Sequence, residues 1–599
     1  MENTYAQRIA SLRRMMRERG WDAVVFTGSD PHSSEYPSDR WKQVRWLSGF
    51  TGECGDLVVT LDHAGLWTDT RYFIAAGQQL PGTGVELHKT RVPEQVLIPD
   101  WMAQTFAGQD EVIVAVDGLC VGAEYVQDII EAVEATGADC LVASVPDLLD
   151  NFWQDRPEIP QTPIITVELG ESRSRKLAWM RRLLESRECD GILLNALDDI
   201  AWQLNVRGAD IEYNPMVISY LLITRNEVSW FVVKDAVEDE QTLRTFASLE
   251  DEGVRILPYS DVELELSSFD GRLMIDSSTL NYHMFKALKS VDTVNEPSPV
   301  QLRKAVKNPV EIQGMKDCHL LDGLAMERFL YWLEKSVDAQ TCPTEWDAAV
   351  KLGELRAENP GYQMDSFETI SAYGKGAALP HYVTPRDNAP VLYSEGLYLC
   401  DSGGQYLGGT TDITRTVALG TPTEQMKIDY TLVLKGHLAL GHQLFPYGTR
   451  GAQLDALARQ FLWNYEMHYG HGTGHGVGHF LNCHEGPQSI RLNEVPAILK
   501  PGMIVSNEPG VYRAGVHGVR IENLVTVAEY ENNVNEFAHF LHFRTLTLFP
   551  YDKQSIYVEM LTPDELAQIN SYHTYVFREL SPLLNQEETE WLRKKCAKM

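Results

Sequence analysis

LRRMMRERGWDAVVF, residues 12–26, returns 168 residues later as MRRLLESRECDGILL, residues 180–194, and the two align without a gap. Each copy has the apolar spacing of an amphipathic helix, then a short break. An apolar run suited to a buried strand follows, Ala23 to Phe26 in the first copy and Gly191 to Leu194 in the second. Both continue into a tryptophan-containing stretch that ends in glycine, WLSGFTG at 46–52 and WQLNVRG at 202–208. The shared order of helix, strand and tryptophan favours a duplicated α/β domain over two unrelated helix–strand units.

Prolines mark the limits of the repeat. Pro157, Pro160 and Pro163 punctuate RPEIPQTP, and Pro297 and Pro299 punctuate NEPSP. Proline fixes φ and removes a backbone donor, so such clusters suit linkers better than packed elements. They divide the 599 residues, too many for one core, into 1–157, 158–300 and 301–599. The third part opens with a long helical pattern, VEIQGMKDCHLLDGLAMERFLYWLEKSV, and closes on LTPDELAQINSYHTYVFREL. In the latter, Thr562 as N-cap, Pro563 at the first helical position and Glu565 completing a capping box predict a helix start. Between these ends VLYSEGLYLCD, TTDITRTVAL, MIVSNEP and VRIENLVTV read as strands. The expected fold class is α/β followed by α+β.

The formal net charge of −32 opposes binding to nucleic acid or to anionic membrane surfaces. It reads first as solubility, and second as an acidic cavity that draws the cationic amino terminus of a peptide. The nine cysteines are scattered with no CxxC pair, the pattern of a reducing compartment. MENTYAQRIASLRRMMRERG carries charge throughout and lacks the apolar centre of a signal peptide. No stretch approaches the roughly 20 apolar residues of a membrane helix. A cytoplasmic location is expected.

Four carboxylates and one histidine stand in short segments rich in glycine or strand formers. Asp401 ends GLYLCD and Asp412 lies in TTDITRTVAL, a separation that a hairpin closes so that the carboxylates sit side by side. Two such groups repel unless a proton or metal lies between them, though either alone reads equally as a turn residue. HGTGHGVGH holds His471, His475 and His479, and His484 follows; the interleaved glycines argue against the helical HExxH arrangement. Glu508 is held before Pro-Gly at a strand end. Glu522 alternates with Ile521 and Val525 in GVRIENLVTV, on the same face as Arg520, which is an alternative ion-pair partner for it. Asp401, Asp412, Glu508 and Glu522 carry −4 when ionised, and two divalent cations balance that. A carboxylate-rich set with one imidazole is harder than structural zinc uses, and it favours Mn²⁺ or Co²⁺ without excluding Zn²⁺. Cys400 and Cys483 read as small apolar fillers beside the site.

DSGGQYLGGTTDITRT, HGTGHGVGHFLNCHEGP, SNEPGVY and VRIENLV resemble the metal motifs of the pita-bread metallopeptidases. The whole chain is similar to the long, three-domain, cytosolic form of aminopeptidase P (Xaa-Pro aminopeptidase). WLSGFTGECGDLVVT with LWTDTRYF resembles its first creatinase-like domain, ALDDIAWQLNVRGADIEYNP its second, and LFPYDKQSIYVEMLTPDE its C-terminal extension. The resemblance implies two creatinase-like α/β domains, 1–157 and 158–300, and a pita-bread catalytic domain with that extension at 301–599.

The resemblance also implies roles. Asp401 would chelate one metal, Asp412 and Glu522 would bridge both, and His475 with Glu508 would complete the other. A metal-activated bridging water would be the nucleophile and Glu508 the general base. His381 in LPHYVTP, His471 and His484 would contact substrate, and Arg520 would orient Glu522. The implied reaction releases the N-terminal residue from peptides with proline in second position, with two ions, most simply Mn²⁺, in a homodimer. His479 stands where the family has a small residue and Gly408 where it has a polar one. Alternatives are a prolidase restricted to Xaa-Pro dipeptides, and a pita-bread fold that binds without catalysis.

Overall fold

The computed structural model describes residues 4–233, 239–534 and 536–599. The chain divides into two compact units between Val300 and Gln301.

The first unit holds two six-stranded sheets of the same topology. One runs Glu86–Lys89, Ala64–Thr68, Asp56–Thr60, Ala23–Phe26, Glu111–Val116, Asp139–Ser144. The other runs Val254–Pro258, Val228–Val232, Ser219–Thr224, Gly191–Leu194, Arg272–Ile275, Asp292–Asn295. In each, the strand read from the repeat lies antiparallel to one neighbour and parallel to the other. Both of these strands are buried along their whole length.

The preceding helices agree residue by residue. Helix Thr4–Arg19 buries Ile9, Leu12 and Met16. Helix Arg173–Ser186 includes Leu177, Met180 and Leu184 among its buried residues. These are the same three positions of the repeat at i, i+3, i+7 spacing, each side chain worth about 1.5–3 kcal/mol of burial.

In the second unit, helix Pro309–Asp338 starts at an Asn308–Glu311 capping box, and helix Pro563–Leu580 starts at the Thr562–Glu565 box the sequence predicts. Strands Ile370–Tyr373, Leu397–Ser402 and Ile413–Ala418 form one antiparallel sheet. A six-stranded sheet contains Ile504–Asn507 between Asn523–Val534 and Gly474–Gly476.

Two strand readings need correction. Asp412 does not lie inside a strand but immediately before Ile413–Ala418. VRIENLVTV is not one strand: His517–Arg520 pairs with Gly510–Arg513, and Asn523–Val534 belongs to the six-stranded sheet. The break falls at Ile521 and Glu522 because the Glu522 N–H donates across to the Thr414 carbonyl at 3.1 Å instead of continuing its own ladder. That diversion puts Glu522 beside Asp412.

Candidate metal centre

Asp401 and Asp412 come from the two sides of one connection. Asp401 pairs with Thr414 in the antiparallel register, and the short strands Gly404–Tyr406 and Gly409–Thr410 fill the excursion between. His475 lies in strand Gly474–Gly476. A Cβ on Gly474 would lie 2.0 Å from the Ser506 carbonyl oxygen and one on Gly476 would lie 2.2 Å from that of Glu485. Only glycine lets this histidine-bearing segment lie so close to its neighbours. Glu508 follows strand Ile504–Asn507, and its N–H donates to the Thr473 carbonyl at 2.8 Å.

These segments converge. Three groups of ligand atoms lie within 4.8 Å of one another: Asp412, His475 and His484; His475, Glu508 and Glu522; Asp401, Asp412 and Glu522. Asp412, His475 and Glu522 each belong to two groups, and all five sequence-predicted metal ligands are included. His475 Nε2 is 3.4 Å from Asp412 Oδ2 and 3.6 Å from Glu508 Oε1. Its Nδ1 is 2.9 Å from the Gly476 carbonyl. A carbonyl only accepts, so Nδ1 carries a proton, and Nε2 is the nitrogen that faces the carboxylates.

Charge is unbalanced in this pocket. Burial pushes Glu522 well above the usual carboxylate range, and Asp412, Glu508 and Asp401 push it further. Burial raises Glu508 to about 7 against the pull of His475 and Arg520. Its side chain keeps 17% of its surface, so the depth of protein around it, not lost surface alone, strips its solvation. Burial also raises Asp401, although Arg520 opposes it. Asp412 ends lower than usual: burial would raise it, but His475 and His484 outweigh that. Asp401 Oδ1, Asp412 Oδ1 and Glu522 Oε1 are buried oxygens with no hydrogen-bond partner. Three orphan carboxylate oxygens beside an imidazole nitrogen fit hard divalent cations.

Two expectations change, and one residue adds a nitrogen to the cluster. Arg520 does not grip Glu522; its Nη2 and Nε donate to Asp401 Oδ2 at 2.6 and 3.2 Å. Arg520 Nε also donates to Thr414 Oγ1 at 3.2 Å, and that hydroxyl donates to Glu522 Oε2 at 2.8 Å. The ion pair suggested by the same-face spacing is absent because the strand breaks at Glu522. Cys483 is more than apolar filling, since its Sγ lies 3.3 Å from Asp412 Oδ2. His484, expected as a substrate contact, brings a ring nitrogen into the Asp412–His475 group, its ring centroid 4.4 Å from that of His475.

The other histidines separate. His381 and His471 belong to none of the three groups. His471 Nδ1 is 2.8 Å from the Gly472 carbonyl and Nε2 is 2.8 Å from the Tyr512 hydroxyl, which accepts from Arg520 Nη1 at 2.7 Å. Tyr512, which sequence patterning does not single out, therefore links His471 to the arginine on Asp401. His381 lies in the turn after Gly374–Ala378. His479 packs at Gly314 of the long helix, where a Cβ would lie 3.1 Å from its Nε2 and 2.3 Å from the Gly408 oxygen. His479 and Gly408 thus meet at one glycine.

Known families match successive parts of the chain. Residues 8–146 and 155–311 each match a creatinase/prolidase N-terminal domain. Residues 313–529 match metallopeptidase family M24, and residues 539–599 match the C-terminal region of peptidase M24. A Tuber melanosporum protein named "Probable Xaa-Pro aminopeptidase P" is 37% identical over 615 residues, covering 98% of this chain and 98% of its own. The X-prolyl aminopeptidase of Caenorhabditis elegans, described as a cytosolic enzyme with a di-nuclear active site, matches with a TM-score of 0.93. It is 33% identical over 100% of both chains. The Xaa-Pro dipeptidase of Bacillus anthracis matches with a TM-score of 0.50 and 25% identity, over 64% of this chain and 99% of its own.

Proposed function

The chain belongs to metallopeptidase family M24, with creatinase-type domains ahead of the catalytic one, and on that premise we propose that it is a dinuclear Xaa-Pro aminopeptidase. It releases the N-terminal residue from peptides with proline in second position. The observation that carries this reading is the convergence of Asp401, Asp412, His475, Glu508 and Glu522 in overlapping groups of donors, the kind of cluster two adjacent cations require. Asp401, Asp412, Glu522, His475 and Glu508 hold the pair. Hard oxygen donors favour Mn²⁺, with Co²⁺ and Zn²⁺ as alternatives. When bound, such ions supply Lewis acidity and lower the pKa of water.

The scissile bond before proline is a tertiary amide, so the departing ring nitrogen must gain a proton. Glu508 is assigned to carry it, as a carboxylate at the edge of the donor cluster, 3.6 Å from His475 Nε2. His484, its ring centroid 4.4 Å from that of His475, is assigned to the substrate carbonyl. His471 and His381 are assigned to holding the peptide. A cytoplasmic homodimer, with domains at 1–157, 158–300 and 301–599, completes the reading. Among the described residues no helix is long and apolar enough to cross a membrane.

Prolidase activity is the second reading, and the dipeptidase likeness, which stops at 64% of this chain, supports it less than full-length agreement supports the first. After loading with Mn²⁺, cleavage of Xaa-Pro-Xaa and longer peptides is expected. Activity confined to Xaa-Pro dipeptides would reverse the choice.

Metal and protons compete for this site. Loading must displace the protons that burial holds on Glu508 and Glu522. Apparent Mn²⁺ affinity is therefore expected to rise with pH through about 7, where Glu508 gives up its proton. Titration calorimetry in buffers of different ionisation enthalpy measures the released protons. An affinity with no pH dependence across neutrality refutes the competition.

A further inference from the structure

Arg415 is among the largest fully buried side chains. Its guanidinium keeps its charge, since arginine does not deprotonate in proteins. Yet every hydrogen-bond acceptor the structure gives it is a neutral oxygen. Nε donates to the Pro550 carbonyl at 3.2 Å. Nη1 donates to the Thr414 carbonyl at 3.0 Å and to the Glu522 carbonyl at 2.6 Å. Nη2 donates to Asn523 Oδ1 at 2.8 Å, the Phe549 carbonyl at 2.6 Å and the Tyr572 hydroxyl at 3.2 Å. A rigid planar fork is suited to fixing several backbone oxygens at once, which a flexible ammonium cannot do.

The fork joins two parts of the chain. On one side are the backbones of Thr414 and Glu522, the residues whose side chains bond to each other at the metal centre. On the other are Phe549, Pro550 and Tyr572, all within 539–599, the C-terminal region. Tyr572 is itself anchored: its hydroxyl lies 2.9 Å from the Thr547 carbonyl, and it rides on the capped helix Pro563–Leu580. The guanidinium also lies over the rings of Tyr551 and Phe549, 5.2 and 6.0 Å from their centroids, so aromatic faces share in holding the cation.

We propose that Arg415 is a positioning residue through which the C-terminal region sets the place of Glu522 in the metal centre. The C-terminal region is thereby part of the catalytic apparatus and not an appendage to it. The proposal rests on the reading of Glu522 as a ligand shared by two ions.

Arg415→Lys and Tyr572→Phe, made in the full chain, test it. Bound Mn²⁺ is counted during titration, and kcat and KM are followed at each metal concentration. Arg415→Lys is expected to weaken the less tightly held ion by about tenfold or more. Its kcat should be low at limiting Mn²⁺ and recover as Mn²⁺ is raised, with peptide KM little changed. Tyr572→Phe should shift the titration in the same direction by about fivefold, the worth of one hydrogen bond. A folded Arg415→Lys protein with a lower Tm but the wild-type Mn²⁺ titration would reduce Arg415 to a structural residue and overturn the proposal. If Arg415→Lys does not fold, an unshifted titration in Tyr572→Phe overturns it. Wild-type protein that binds fewer than two Mn²⁺ would instead remove the premise about Glu522.

Discussion

Asp412→Asn is expected to lose about three orders of magnitude of peptidase activity at moderate Mn²⁺ while the protein stays folded. Asp412 belongs to two donor groups, so replacing it weakens both ions of the pair. Removing one partner from a buried set of charges costs about 3–5 kcal/mol, or roughly a hundredfold to several thousandfold in metal affinity. The fold should not suffer equally. Asparagine keeps the shape and can still accept from the Cys483 thiol, which lies 3.3 Å from Asp412 Oδ2. Losing the charge relieves Glu522 and Asp401, both of which Asp412 pushes upward. The metal-free variant should therefore melt with metal-free wild type, whereas the metal-loaded variant melts below its wild-type counterpart. Thermal melts with and without Mn²⁺, paired with a peptide assay, separate these effects. Undiminished turnover excludes a shared-ligand role for Asp412.

Metal removal is the second large effect. An ion that binds only the folded chain stabilises it by about 2.7 kcal/mol at a hundredfold excess over Kd and about 4.1 kcal/mol at a thousandfold excess. EDTA should therefore lower the Tm of the catalytic unit by on the order of 5–10 °C. The loss depends on pH with a definite sign. Glu508 and Glu522 are raised in the metal-free fold, so the folded chain binds more protons than the unfolded one. Their contribution is fully present below the unfolded glutamate range near 4.5. It is lost as pH climbs, for Glu508 through about 7. Metal-free protein should thus be less stable at about pH 8 than at about pH 5.5, and the gain on adding Mn²⁺ larger at the higher pH. Complete metal removal with no change in Tm at either pH contradicts a cluster of mutually repelling carboxylates.

Much of this is legible in the amino-acid sequence, and for one kind of reason. Ile9, Leu12 and Met16 repeat as Leu177, Met180 and Leu184 because helical period alone decides which side of a helix is apolar. Strands Ala23–Phe26 and Gly191–Leu194 and the Thr562–Glu565 cap follow from side chains that act within a few residues of themselves. The metal donors are legible because carboxylates and a histidine among glycines and strand ends are chemically costly unless something binds them.

The features that sequence patterning misses share the opposite character. Arg520 and Glu522 are two residues apart in a stretch that alternates like one strand, yet Arg520 is paired with Asp401, 119 residues away. The Thr414 carbonyl takes the Glu522 N–H and ends the ladder there. His484 reads in sequence as a substrate contact, and its place beside Asp412 depends on how two sheets meet. Arg415 reads as one more strand residue, and its six oxygen partners come from segments up to 157 residues away. The duplicated domains and the starts of the principal helices follow from residue order alone, because periodicity and capping act locally, and the candidate metal donors follow from it only together with the family resemblance. Which charge meets which follows from the packed molecule instead, because a buried ion takes the partner that distant segments bring to it, not its nearest neighbour in the chain.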